Sequence, residues 1–172
     1  VELSDQKLVS VIKEYGEERF SKRIVKAIRR TQIKGAIKTT LQLSNIVLSV
    51  MGSSRKTKIH PATRTFQALR IAVNDELEHI KKALGDSVDV LQKSARIAVI
   101  SFHSLEDRIV KNFFQTEKKG CICSPRIPIC SCGREQRLKV VTRKPIIPEV
   151  EEILFNPRAS SAKLRVAERI YV

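Results

Sequence analysis

Glycine is scarce in this chain, and the positions of the few glycines exclude one common kind of ligand site. The 172 residues include six glycines, and no two lie close enough to build the Gly-rich strand-to-helix loop that cradles a nucleotide. The nucleophile elbow Gly-x-Ser-x-Gly is also missing, which argues against covalent catalysis by a serine. The sequence therefore carries no nucleotide fingerprint and gives little support to a hydrolase.

Long apolar runs are missing as well. No segment has transmembrane length, and no charged start is followed by a secretory hydrophobic region. We therefore expect a soluble, cytoplasmic protein with no membrane partner. The first residue is Val1 rather than methionine, which fits a fragment or domain of a longer protein.

Acidic residues are outnumbered by basic ones. The chain has 33 Lys and Arg against 18 Asp and Glu, a formal net charge of +15 and a pI near 10.1. Such a balance is typical of proteins that bind nucleic acids. The hydrophobic content of 42% is enough for a packed core. A folded protein with a polyanionic partner is the expected class.

Residues 1–58 predict a small helical module, because apolar residues recur at helical spacing in three segments. On the second segment, four basic residues share a face away from the apolar stripe and are suited to lie along a phosphate backbone. The alternative is a helix face that only contacts water. The four residues are Arg19, Arg23, Lys26 and Arg30.

Residues 59–172 are predicted to form a second domain that starts with one long helix, from His60-Pro61 to Gly85. Polar residues on its first half offer donors of the kind that contact phosphates and base edges. The alternatives are a turn cap for the histidine, ion pairs for the arginines, and water for the two amides. The residues are His60, Arg64, Gln67, Arg70 and Asn74.

An apolar strand at 95–100 runs directly into a polar turn that opens a helix, which is where open α/β sheets bind ligands. Ser101, His103 and Ser104 are the candidate catalytic residues of this turn, with Glu106, Asp107 and Arg108 fixing its geometry. The alternative is structural: Ser104 and Asp107 have capping-box spacing, and the histidine bonds to backbone. Both roles are compatible.

All four cysteines lie in one loop at 117–134, as two Cys-x-Cys pairs separated by six residues. Four thiolates are a ligand set for structural zinc, although paired zinc ligands more often have two to four intervening residues. Disulfides, which a reducing cytosol disfavours, and unmodified thiols are the alternatives. The residues are Cys121, Cys123, Cys130 and Cys132.

Three blocks of sequence carry a resemblance to a known family. They are HPATRTFQALRIAVNDEL from His60, ARIAVISFHSLEDRIVK from Ala95 and NPRASSAKLRVAERI from Asn156. In this order and spacing they resemble the RsmH or MraW family of bacterial ribosomal RNA small-subunit methyltransferases. The family pattern usually has arginine at Ser160 and glycines at Lys93 and Ser94, and these departures leave the turn intact.

The resemblance implies methylation of the exocyclic amine of a cytosine with S-adenosylmethionine, and ribosomal RNA or the small subunit as partner. It matches only the family's C-terminal portion, so the cofactor-binding residues are expected upstream of Val1 and the fragment alone is expected to be inactive. The implied fold is α/β, the C-terminal part of a Rossmann-like class I methyltransferase core preceded by an all-helical inserted module. Homodimer formation is a further possibility for partners.

Many amine methyltransferases carry Asp, Asn or Ser before Pro-Pro and an aromatic residue, and this chain has no Pro-Pro pair. The nearest approach is Asn156-Pro157-Arg158, for which a turn is the first interpretation. With Arg108, we count Asn156 and Arg158 among candidate RNA-binding residues. The competing hypothesis from another class is a non-enzymatic, basic nucleic-acid-binding protein with a structural zinc loop.

Overall fold

The chain forms a mixed α/β fold in two compact units, which divide between Glu76 and Leu77. A computed structural model describes residues 3–52, 60–119, 121, 123–124, 129 and 131–170. The helices of the first unit are α1 Asp5–Tyr15, α2 Ser21–Lys34, α3 Thr40–Met51 and α4 Thr63–Asn74. Helix α5, Glu76–Val90, begins at the last residue of the first unit and continues into the second. In the second unit follow β1 Arg96–Ser101, α6 Ser104–Lys119, β2 Leu138–Val140, α7 Val150–Phe155, a 3-10 helix Pro157–Ser161 and β3 Lys163–Arg169.

The first unit is built from four amphipathic helices around one apolar core. Ile12 of α1, Ile24 of α2 and Val47 of α3 are fully buried, as the predicted helical faces required. Local signals set the helix ends: the Ser4 hydroxyl accepts a hydrogen bond from Lys7 N, and Thr39 forms a capping box with Gln42 at the start of α3. The prediction of three helices before residue 52 is thus confirmed.

Helix α4 belongs to the first unit, so the boundary predicted between residues 58 and 59 differs from the one in the structure. Ala62 is 1% exposed and joins the same core as Ile12 and Ile24, with Phe66 packed against it. A Cβ added at Gly16, at the end of α1, would stand 2.6 Å from the carbonyl oxygen of Arg64. This close approach fixes α4 against α1. Residues 53–58 of the predicted hinge lie outside the described part of the chain.

The single long helix predicted from His60 to Gly85 is wrong, because two helices occupy this segment. Asp75 adopts a left-handed conformation, φ 49° and ψ 38°, and ends α4. The left-handed conformation costs Asp less free energy than it costs most residues. The helix can therefore break at Asp75 without a glycine or proline that would mark the break in the sequence. Gly85 lies inside α5, and Val73 near the end of α4 is 82% exposed.

The second unit contains a three-stranded sheet in which β3 lies between β1 and β2 and is antiparallel to both. The register pairs Arg96 with Glu168 and Ser101 with Lys163. Helices α5 and α6 supply Val88, Val110 and Phe114 to the core that covers one face of this sheet. The mixed α/β class is confirmed.

Strand β1 is an edge strand of the described sheet, and only one of its faces packs on the core. Ile97 and Val99 pack against the core, whereas Ile100 on the opposite face is 59% exposed. The strand still performs the predicted task of delivering the chain into the polar turn at Ser101.

Replacing Ser94 with Gly is expected to stabilise the chain by about 0.5 to 1 kcal/mol. Ser94, two residues before β1, has φ 66°. Its N–H donates a hydrogen bond to the carbonyl oxygen of Arg169, the last residue of β3. Left-handed backbone costs a serine about 1 to 2 kcal/mol, of which the greater chain entropy of glycine cancels about half. Urea unfolding measures the difference, and Ser160→Gly at an exposed site is the control. A less stable Ser94→Gly chain would contradict the expected gain.

Candidate functional site

The polar turn between β1 and α6 places the three candidate catalytic residues within four positions of the chain. Ser101 ends β1 and is 3% exposed, with its hydroxyl 3.4 Å from the Lys163 carbonyl oxygen on the neighbouring strand. Ser104 is the first residue of α6. Phe102, which the sequence did not single out, is 53% exposed between them. The turn therefore exposes Phe102 and Ser104, whereas Ser101 is buried.

His103 and Glu106 form the reciprocal cap of α6. The His103 Nδ1 atom accepts a hydrogen bond from Glu106 N at 3.3 Å, and the Glu106 carboxylate accepts from His103 N at 3.2 Å and Phe102 N at 2.8 Å. The cap predicted for Ser104 and Asp107 is thus corrected by one residue. Histidine is an unusual capping residue, so a sequence pattern based on serine missed it.

The cap determines the state of the His103 ring. Because Nδ1 accepts a backbone N–H, the neutral ring carries its proton on Nε2. That nitrogen lies 3.3 Å from the Glu106 carboxylate, and the side chain is 9% exposed. In this tautomer His103 is a hydrogen-bond donor through Nε2, and Nδ1 is not available to take a proton.

Asp107 connects α6 to the central strand instead of capping the helix. Arg165 donates two hydrogen bonds to its carboxylate, at 2.6 and 3.1 Å, and Lys163 lies 3.6 Å away. The hydrogen bonds and charge of Arg165, helped by Lys163, hold the pKa of Asp107 below its ordinary value despite its burial. The charged aspartate therefore fixes the helix that carries the turn.

The polar residues of α4 differ in how far the fold already uses them. The His60 Nδ1 atom accepts from Ala62 N at 3.2 Å, and Gln67 donates to the Tyr15 carbonyl at 3.2 Å. Arg70 pairs with Glu76 through two bonds, and Asn74 donates to the same carboxylate. The alternative of an ion pair is thus correct for Arg70. Arg64 has an exposed side chain.

The basic stripe predicted for the second helix consists of Arg23, Lys26 and Arg30 on α2 and of Arg19, which lies two residues before α2 begins. Arg19, Arg23, Lys26 and Arg30 all have exposed side chains. The guanidinium groups of Arg19 and Arg23 lie 4.8 and 5.4 Å from the centre of the Phe20 ring, which holds two cations at the start of the helix. Arg19 and Arg23 thus lie together at the start of α2.

The other candidate RNA-binding residues lie in the second unit. Arg108 is on the exposed side of α6. Asn156 follows α7 and precedes Pro157, the first residue of the 3-10 helix that also carries Arg158. The turn predicted for this segment is correct, and the side chains of both candidates in it are exposed.

Three of the four cysteines come together in the structure. The sulfur atoms of Cys121, Cys123 and Cys132 all lie within 4.8 Å of one another. The Cys121 and Cys132 sulfurs are 3.8 Å apart, which is much longer than the roughly 2 Å of a disulfide bond. Cys130 lies outside the described residues.

Glu117 anchors both ends of the cysteine loop, a role that the sequence analysis missed. Its side chain is 4% exposed and accepts hydrogen bonds from Arg134 at 2.7 Å and Arg137 at 2.6 Å. Arg137 N also bonds to the Glu117 carbonyl oxygen, and Arg137 pairs with Asp89 of α5. A buried carboxylate at the end of a charged helix segment gave no signal that could separate it from its exposed neighbours.

Together these features define the class: a strongly basic, mixed α/β protein with a cationic helical unit and a polar strand-to-helix turn. No helix among the described residues is long and apolar enough to cross a membrane. The chain belongs to the MraW methylase family, whose model matches residues 1–170.

Curated relatives agree with this family. The chain is 50% identical to a protein of Heliobacterium mobile over 98% of its own length and 54% of the relative. It is 51% identical to a protein of Syntrophus aciditrophicus over 97% and 53% of the two chains, and 49% identical to one of Brevibacillus brevis over 98% and 54%. All three are named ribosomal RNA small subunit methyltransferase H. The chain thus spans about half the length of these relatives.

Proposed function

We propose that this chain is the RNA-facing and turn-bearing half of a methyltransferase that methylates the exocyclic amine of a cytosine in small-subunit ribosomal RNA. Membership of the MraW methylase family, over residues 1–170, carries the proposal. The names of the relatives supply the substrate class. The helical unit is the inserted substrate-recognition module in this proposal, and the second unit is the end of the methyltransferase core.

S-adenosylmethionine is the methyl donor implied by the family, and the described residues do not fit it. No Gly-rich loop is present in the sequence. The amides at the start of α6, which would otherwise attract an anionic group, donate to the Glu106 carboxylate. In this proposal the donor is held by residues of the whole enzyme other than those described in this chain.

The polar turn supports a role in holding the target base. In this proposal the target base takes the place of the Glu106 carboxylate, which lies 3.3 Å from the His103 Nε2 atom, and the exposed Ser104 adds a hydroxyl. Phe102 offers a face on which a base extruded from the RNA can stack. Asp107, held by Arg165, fixes the angle of the helix start that carries these groups.

A methyl-transfer assay tests this proposal. The 172-residue chain joined to the part of a longer relative that it does not match is expected to transfer labelled methyl groups from S-adenosylmethionine to small-subunit RNA, and nuclease digestion should place the label on cytosine N4. The chain alone is expected to bind RNA without binding the methyl donor in calorimetry. RNA binding by a joined protein with no methyl transfer would instead favour the competing function, a non-enzymatic nucleic-acid-binding protein.

RNA affinity of the 172-residue chain is expected to fall steeply with salt. Four phosphate contacts along the α2 stripe predict a loss of about 50-fold between roughly 50 and 200 mM salt, because each contact releases counterions. The double variant Lys26→Gln with Arg30→Gln should reduce the slope of log affinity against log salt by about 1.4. Fluorescence anisotropy with a single-stranded RNA measures both values.

The control for the stripe is Lys13→Gln, which removes an exposed charge from α1 instead of α2. We expect the slope of this variant to stay near that of the unchanged chain. Equal slopes for the double variant and the unchanged chain would remove the α2 stripe from the RNA-binding surface.

A further inference from the structure

We propose that Cys121, Cys123 and Cys132 bind a structural zinc ion through their thiolates, so that the loop between α6 and β2 is a metal-stabilised knuckle. This site is separate from the polar turn and from the α2 stripe. It needs neither the methyl donor nor RNA, and it can be correct whether or not the proposed function is.

The sulfur positions fit the geometry of tetrahedral zinc. Zinc–sulfur bonds of about 2.3 Å in a tetrahedron place neighbouring sulfurs about 3.8 Å apart. The Cys121 and Cys132 sulfurs are 3.8 Å apart, and no pair in the cluster exceeds 4.8 Å. A shift of about 1 Å or less in the side chains therefore brings all three sulfurs to bonding distance of one ion.

The donor set selects the metal. Three thiolates form a soft ligand set, which favours zinc over the oxygen-preferring magnesium and calcium. Thiols lose their protons when they bind zinc, and the ion offsets the charges of the resulting thiolates. Because three protein ligands converge from two separate parts of the loop, the ion would close the loop on itself.

The base of the loop is already fixed by the protein. The Glu117 carboxylate near the end of α6 accepts hydrogen bonds from Arg134 and Arg137. These two arginines lie two and five residues after Cys132, on the segment that leads to β2. The two ends of the loop are thereby held together before any metal binds, which reduces the entropy that metal binding has to overcome. A zinc ion would add a second closure farther along the loop.

Metal analysis of the 172-residue chain tests the proposal. The chain, purified without a tag that binds metals, should retain about one zinc per molecule after dialysis. Cobalt added to the metal-free chain should give the strong visible bands of a tetrahedral site and a charge-transfer absorption from at least three thiolates. Each of Cys121→Ser, Cys123→Ser and Cys132→Ser should weaken zinc binding by at least about 100-fold.

Ser131→Ala, an exposed change beside Cys132, is the matched control and should leave zinc content unchanged. Circular dichroism and urea unfolding establish that each serine variant keeps the second unit folded. Zinc content near zero in the folded, reduced chain would overturn the proposal. A cobalt spectrum with fewer than three thiolates would do the same, as would full zinc retention in any serine variant.

Discussion

Replacing Glu117 with Ala is expected to lower the free energy of unfolding of the 172-residue chain by about 3 kcal/mol. The carboxylate is 4% exposed and accepts hydrogen bonds from Arg134 and Arg137. Its removal leaves both guanidinium groups without their buried partner. The two arginine side chains are 36% and 32% exposed, so water screens part of their charge. The expected loss therefore lies at the lower end of the range for buried pairs.

Urea unfolding measures this loss, with two companion variants. Glu117→Gln keeps the volume and one acceptor oxygen, so it should fall between the unchanged chain and Glu117→Ala. Glu135→Ala removes an exposed carboxylate from the same returning segment and should change stability by less than about 0.5 kcal/mol. We call the contacts of Glu117 with Arg134 and Arg137 the Glu117 clamp. Equal stability for Glu117→Ala and Glu135→Ala would show that the Glu117 clamp does not stabilise the second unit.

The Glu117 clamp also predicts how stability depends on pH. Burial raises the pKa of Glu117, but the hydrogen bonds and charges of Arg137 and Arg134 lower it by a larger amount. The pKa of Glu117 is therefore below its ordinary value. Its contribution is therefore fully present above the unfolded-state pKa of about 4.3 and is lost as pH falls through the folded-state value. The stability difference between the unchanged chain and Glu117→Gln should accordingly shrink below about pH 5.

The parts of the fold that the sequence predicted are those set by local, periodic signals. Apolar residues at helical spacing placed α1 to α3, and a short apolar run followed by polar residues placed β1, the turn and α6. The break at Asp75 was not predictable in this way, because the apolar spacing continues through it. The cost of left-handed backbone at one Asp is small enough for packing to decide.

Long-range pairing accounts for most of the rest. Asp107 meets Arg165 from 58 positions away, and Glu117 meets Arg137 from 20 positions away. A charged residue gives no sign in the sequence of whether it will be buried with a partner or exposed to water. The cysteines were the exception, because their clustering in one loop predicted that they would come together, and three of them do.

Replacing His103 with Ala in a catalytically complete protein is expected to lower the rate of methyl transfer by about 100-fold, with a loss of about 1 kcal/mol in stability. The change removes the Nε2 donor proposed to position the target base and the Nδ1 acceptor that caps α6. The two losses are linked in this variant. A second substitution is needed to separate the donor from the cap.

His103→Asn provides that separation, because the Oδ1 atom of asparagine occupies nearly the same place as Nδ1 and asparagine is a favoured helix cap. Stability should therefore return to within about 0.5 kcal/mol of the unchanged chain, while methyl transfer stays low for want of the Nε2 proton. Single-turnover kinetics and urea unfolding of the same preparations measure the two effects. Near-normal transfer by His103→Asn would show that His103 acts only by capping α6, since the cap is then sufficient for activity.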